Sequence, residues 1–169
     1  LLRYQIRDEP PAELVSNWRL VQRILAAVDP KRPSFSCFCD PGSLARLTSQ
    51  TRMSEAVFDI YPLWTGTPRQ TLGNFLPSLD TFKGASRDNP SWAVLQAFAV
   101  THAPGSWRYP TPEELRAMTY LSLASGVKGV FYFIYSHMPG YLDGMVAKDG
   151  AVQPMYAPTA ALALELQKL

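Results

Sequence analysis

Histidine and cysteine are scarce, with two of each in 169 residues. Cys37 and Cys39 stand two apart in a strand-like run, where side chains share a face and cannot reach each other, so they read as buried thiols rather than a disulfide. His102 and His137 have no acids at ligand spacing, which argues against a metal centre. There is no glycine-rich phosphate loop and no serine nucleophile elbow, so no cofactor is expected and nucleotide or acyl-transfer chemistry is disfavoured. Sixteen basic and fourteen acidic residues are spread evenly for a net charge of +2. No basic cluster is interleaved with aromatics, which disfavours nucleic acid as a partner. No apolar run approaches the length of a membrane span. No signal peptide is visible, and the compartment stays open in a chain that begins at Leu1.

What the chain does have is alternation. Apolar residues make up 47% and charged residues 18%, as in a well-buried globular protein, and residues 1–169 read as one domain. Strand-like runs occur at "RYQIRDE", "PSFSCFCD", "EAVFDIYPLW", "SWAVLQAFAV" and "GVFYFIY". After the first, Leu14, Trp18, Val21, Leu25 and Val28 recur at helical spacing, opened by Pro10 and Pro11. A weaker helix follows around "GSLARLTSQT", then one over "TLGNFLPSLDTFKGAS" whose pattern is interrupted by Pro77. "TPEELRAMTYLSLASG" carries the best start signal, with Thr111 and Glu114 spaced for a capping box, Pro112 in the first turn and Gly126 as a stop. "SHMPGYLDGMVAKDGAVQPMY" reads as loop or small hairpin, and "APTAALALELQKL" closes as a helix. Strand and helix in repeated alternation predict an α/β fold with about five parallel βα units.

Strand parity suggests how those units close. A helix-covered face must be apolar, so Tyr4 and Ile6, then Phe35, Cys37 and Cys39, then Phe58 and Ile60, then Ala93, Leu95 and Ala97 are expected to face outward. That leaves Arg7, Glu9, Asp40, Asp59, Tyr61 and Gln96 on the other side, near strand ends. The last strand is apolar on both sides and gives no parity. Polar groups gathered at strand ends suit the active-site end of a TIM-type barrel better than a doubly wound sheet with two apolar faces. A partial TIM-type barrel is the expectation.

The motif "RDEP" resembles the fourth-strand motif of (β/α)8-barrel glycoside hydrolases, in which Asn-Glu-Pro or Asp-Glu-Pro carries the acid/base glutamate. "FDIYPLW" is similar to the sixth strand of such barrels and "WAVLQAF" to the seventh. "YPTPEELRAMTYLSLASGVKGVFYFIY" is similar to the last helix and eighth strand, and resembles uncharacterised bacterial glycosidase-like proteins. The likeness runs in order over residues 3 to 136. It implies strands four to eight of a barrel, with "RYQIRDE" and "VFYFIY" as neighbours of strands outside the chain. Completion by N-terminal barrel strands, or by further copies in a homo-oligomer, is the expected way to cover those edges.

On this resemblance Glu9 is the candidate general acid/base and the substrate is a carbohydrate. Asp8 is either a cap for the following helix or, as in β-N-acetylhexosaminidases with an adjacent Asp-Glu pair, the residue that orients a substrate acetamide. The second role needs a bulge or turn that brings both carboxylates to one site. No acid lies between Trp92 and Tyr109, where related enzymes place a nucleophile, and the strand offers Gln96 instead. Asp59 is the candidate to activate water or stabilise charge. Arg7, Asp40, Tyr61, Trp64, Gln96, His102, Tyr135 and His137 are candidate substrate contacts, and Trp107, Tyr109 and Tyr141 add aromatic surface for sugar stacking. A non-catalytic carbohydrate-binding or self-assembling half-barrel is the alternative.

Overall fold

In the computed structural model, residues 3–51 and 53–168 are described; Leu169, at the end of the expected last helix, lies outside them. Five parallel strands form one sheet in chain order: β1 (Tyr4–Asp8), β2 (Ser34–Phe38), β3 (Ala56–Ile60), β4 (Ser91–Gln96) and β5 (Gly129–Phe133). Helices fill the connections: α1 (Val15–Val28), α2 (Pro41–Gln50), α3 (Phe75–Ser86), α4 (Pro112–Ala124) and, after β5, α5 (Tyr156–Leu166). Sequential pairing without a reversal of strand order is the topology of a barrel wall rather than a doubly wound sheet. The fold is α/β, a partial TIM-type barrel.

Local chemistry sets the boundaries. Asp40 caps α2, accepting from the amides of Gly42 at 3.3 Å and Ser43 at 2.7 Å, with Pro41 in the first helical position. Thr111 and Glu114 form the capping box of α4, and Gly126 turns the chain out at φ 84°. Pro77 does not interrupt α3. It falls in the first turn, where its missing N–H has no partner to lose.

The main core lies between the sheet and its helices. Phe58 is fully buried and stacks on Phe82 of α3 with ring centroids 4.9 Å apart, and Leu95, Leu79, Leu115 and Met118 pack in the same cluster. Each such side chain contributes about 1.5–3 kcal/mol by leaving water. Only the start of α1 joins this core, through Val15 and Trp18. Leu20, Ile24 and Val28 are 58%, 53% and 79% exposed, so the apolar stripe of α1 continues onto open surface beside the edge strand β1.

Two parity expectations fail. In β2, Phe35, Cys37 and Cys39 face the concave side, while Ser36 faces the helices and accepts from Trp18 Nε1 at 2.8 Å and the Arg7 amide at 3.2 Å. A hydrogen-bonded serine allows close helix approach, and the lower concave face is as apolar as the outer one, so polarity did not separate the sides. In β1 the pairing with β2 slips between Gln5 and Arg7. Gln5 and Asp8 therefore share the concave side, and Arg7 is exposed away from it.

Candidate active site

The concave face holds a cavity of about 960 Å³. Its floor is apolar, built from Phe35, Val57, Val94 and Phe131 of four successive strands. Strand register determines what stands above it: Cys37 pairs with Val57, Asp59 with Val94, and Gln96 with Phe133. The polar groups lie toward the C-terminal strand ends, where barrel enzymes carry their chemistry.

Asp8 and Glu9 both line the cavity although they are consecutive. A regular strand would send them to opposite faces. The slip in β1 turns Asp8 inward, and Glu9 adopts φ 45°, a left-handed conformation uncommon outside glycine. The Glu9 amide still donates to the Cys37 carbonyl at 2.9 Å, so the ladder holds one residue past the strand. Gln5 Nε2 donates to Asp8 Oδ1 at 3.2 Å. Left-handed backbone at a non-glycine residue costs on the order of 1–3 kcal/mol and persists where its surroundings enforce it.

Asp59, at the end of β3, is the most buried carboxylate of the site, with 9% of its surface exposed. Its Oδ1 has no hydrogen-bond partner among the described residues. Burial first, and then the negative charge of Glu9, push its carboxyl up to about 6; its own backbone amide and the Tyr61 side chain oppose the shift. Of the two thiols expected to be buried, Cys37 is and Cys39 is exposed, and both respond to the same field. Burial and then Asp59 raise Cys37, while burial and then Glu9 push Cys39 up to about 11, so both stay protonated at neutral pH.

Aromatic side chains form one wall. Tyr61 lies 5.0 Å from Phe98 edge-on and 5.9 Å from Phe133 nearly parallel, and Trp107 sits 5.9 Å from Phe98. Trp107 is fixed by its indole N–H donating to the Tyr61 carbonyl at 3.2 Å and by Trp64 packed on it at 4.7 Å. Across the mouth, Met138 and Tyr141 contribute side chains 41% and 65% exposed.

The sequence-derived candidates therefore divide. Asp8, Glu9, Asp59 and Tyr61 line the cavity, whereas Trp64 reaches it only through Trp107. Asp40 is engaged in capping α2. Gln96 is fully buried beneath the cavity, taking the Leu63 amide on Oε1 and giving Nε2 to the carbonyls of Phe98 and Arg108. Arg7, His102, Tyr135 and His137 are not among the lining residues. His137 Nδ1 lies 3.4 Å from Asp143, which also takes the Thr101 amide at 2.6 Å and ties the loops after β4 and β5 together. Asp143 carried no sequence signal, because its partners come from two separate loops.

No protein-family model and no curated protein matches the chain. Solved structures do. The β-galactosidase from the psychrophilic Marinomonas ef1 superposes with a TM-score of 0.73 at 18% identity, over 92% of this chain and 26% of that one. The polyextremophilic β-galactosidase from the Antarctic haloarchaeon Halorubrum lacusprofundi gives 0.74 at 20% identity, also over 92% and 26%. A GH128 endo-β-1,3-glucanase from Sorangium cellulosum gives 0.58 at 15% identity, over 92% of this chain and 68% of that one. The chain spans about a quarter of the length of the two galactosidases. These identities show the fold alone: the chain has the partial-barrel architecture found in structures of glycoside hydrolases.

Proposed function

We propose that this chain is the acid/base-bearing part of a glycoside hydrolase barrel, acting on a carbohydrate with Glu9 as general acid/base. The observation that carries the reading is the arrival of Asp8 and Glu9, side by side, in a cavity that also holds Asp59. Glycoside cleavage breaks the bond between the anomeric carbon and the leaving oxygen. Glu9 gives its proton to that oxygen and later takes one from the incoming water. A second carboxyl group must meet the positive charge at the anomeric carbon. The end of β4 supplies none, since Gln96 is spent on loop contacts. Asp8 takes this role directly, and its position beside Glu9, given by the slip in β1 and the turn at Glu9, supports the reading.

The lack of an acid at the end of β4 also favours a rival, a non-catalytic half-barrel that binds sugar on Trp107 and Tyr141. Assay of the protein against a panel of aryl glycosides, with Glu9→Gln beside wild type, separates the two. Hydrolysis that falls about 10²-fold or more in the variant supports catalysis. Sugar binding without turnover in wild type supports the rival.

A further inference from the structure

The cavity is charged on one side only. Asp8, Glu9 and Asp59 line it, and no Lys, Arg or His does among the described residues. The chain as a whole is basic by two charges, so this acidity is local. A group of acids on a surface would mean little, because water solvates them. Asp59 is different: nine-tenths of it is buried, it lines the cavity, and its Oδ1 lacks a donor among the described residues. A buried acceptor without a partner is costly, more so when charged, and a ligand that brings a donor recovers that cost. The third observation is the wall. Tyr61, Phe98 and Phe133 pack mutually within 5.0–5.9 Å beside the carboxylates. Ring faces attract cations, most strongly out of water, and an ammonium group brings three donors.

We propose that this cavity recognises a sugar bearing a free, protonated amine, whose ammonium donates to Asp59 beside the rings of Tyr61 and Phe98. The sugar part of this assignment rests on the glycosidase reading; the amine part rests on Asp59 and the rings. An N-acetylated sugar lacks the charge. A uronic acid adds a fourth carboxylate and is repelled.

Ligand-observed NMR on the wild-type protein, with glucosamine, N-acetylglucosamine, glucose and glucuronate as probes, tests this without any need for turnover. Glucosamine should bind about tenfold or more tightly than glucose or N-acetylglucosamine, with glucuronate weakest. Asp59→Asn should remove the preference and keep the weaker sugar binding. Asp59 is faced by Asp8 of β1 and Glu9 just past it, by Cys37 of β2 and Cys39 just past it, and by Tyr61 beyond β3. An amine draws the proton off Asp59, so affinity for glucosamine should rise from about pH 5 to about pH 7 while that for glucose stays flat. This pH arm decides the matter if Asp59→Asn fails to fold. Equal or tighter binding of glucose, or no pH dependence for glucosamine, overturns the proposal. Hydrolysis of neutral glycosides with no amine preference would defeat the amine assignment and leave the glycosidase reading intact. Amine preference without hydrolysis would do the reverse.

Discussion

Gln96→Met should damage the site through the scaffold beneath it. The glutamine is fully buried at the end of β4 and its amide makes three bonds: Leu63 N–H to Oε1 at 3.1 Å, and Nε2 to the carbonyls of Arg108 at 2.8 Å and Phe98 at 3.3 Å. Leu63 lies just after Tyr61, and Arg108 just after Trp107, so one side chain holds the two loops that present the aromatic wall. Methionine keeps nearly the same volume, which makes the packing term small. What remains is the stranding of the Leu63 amide and the Arg108 carbonyl, at about 1–3 kcal/mol each, with the longer bond to Phe98 adding little. The expected loss is roughly 2–6 kcal/mol, or a fall in Tm of about 2–4 °C for each kcal/mol. Urea unfolding followed by circular dichroism, with the thiols kept reduced, measures it. A loss below about 1 kcal/mol would mean that the loops hold without Gln96 and that its three bonds do not anchor them.

Asp59→Asn carries a pH signature in stability. Folding raises this carboxyl from 3.8 to about 6, so the folded state favours the proton and stability falls as pH climbs through that window. The variant lacks the penalty, and its stability relative to wild type should improve by on the order of 2–3 kcal/mol between about pH 4 and about pH 7; a flat difference in melts across that range would contradict it. The edges give another expectation. Among the described residues β1 and β5 each pair on one side only, and Leu20, Ile24 and Val28 leave an apolar stripe open on α1, so the chain should associate with further copies or with additional barrel strands. Size-exclusion chromatography with light scattering at micromolar concentration should show more than one copy, and a clean 18.8 kDa species would overturn the idea.

Element order was legible because the signals that start and stop helices are local. The Thr111–Glu114 box, Pro112 and Gly126 bound α4 as their spacing implies, and β3 alternates so that Asp59 and Tyr61 face one way and Phe58 and Ile60 the other. Parity in β2 was not legible. Phe35 and Cys37 are apolar because the barrel floor is apolar, and Ser36 turns outward to satisfy the Trp18 indole. The slip in β1 has no proline or glycine to announce it, so Arg7 read as an inner residue and Asp8 as an outer one. Gln96 read as an inner substrate contact and not as a loop anchor, because its partners Leu63 and Arg108 are distant in sequence.

If Glu9 delivers a proton to the leaving oxygen, its loss must depend on how much the leaving group needs that proton. Two aryl glycosides of one sugar hydrolysed by the wild-type protein are compared, one with a poor, basic leaving group and one with an activated nitrophenolate that departs with little protonation. Glu9→Gln should lose about 10²-fold or more on the first and less than about tenfold on the second. Equal losses on both substrates, or no loss on either, would contradict the assignment of Glu9 as the acid.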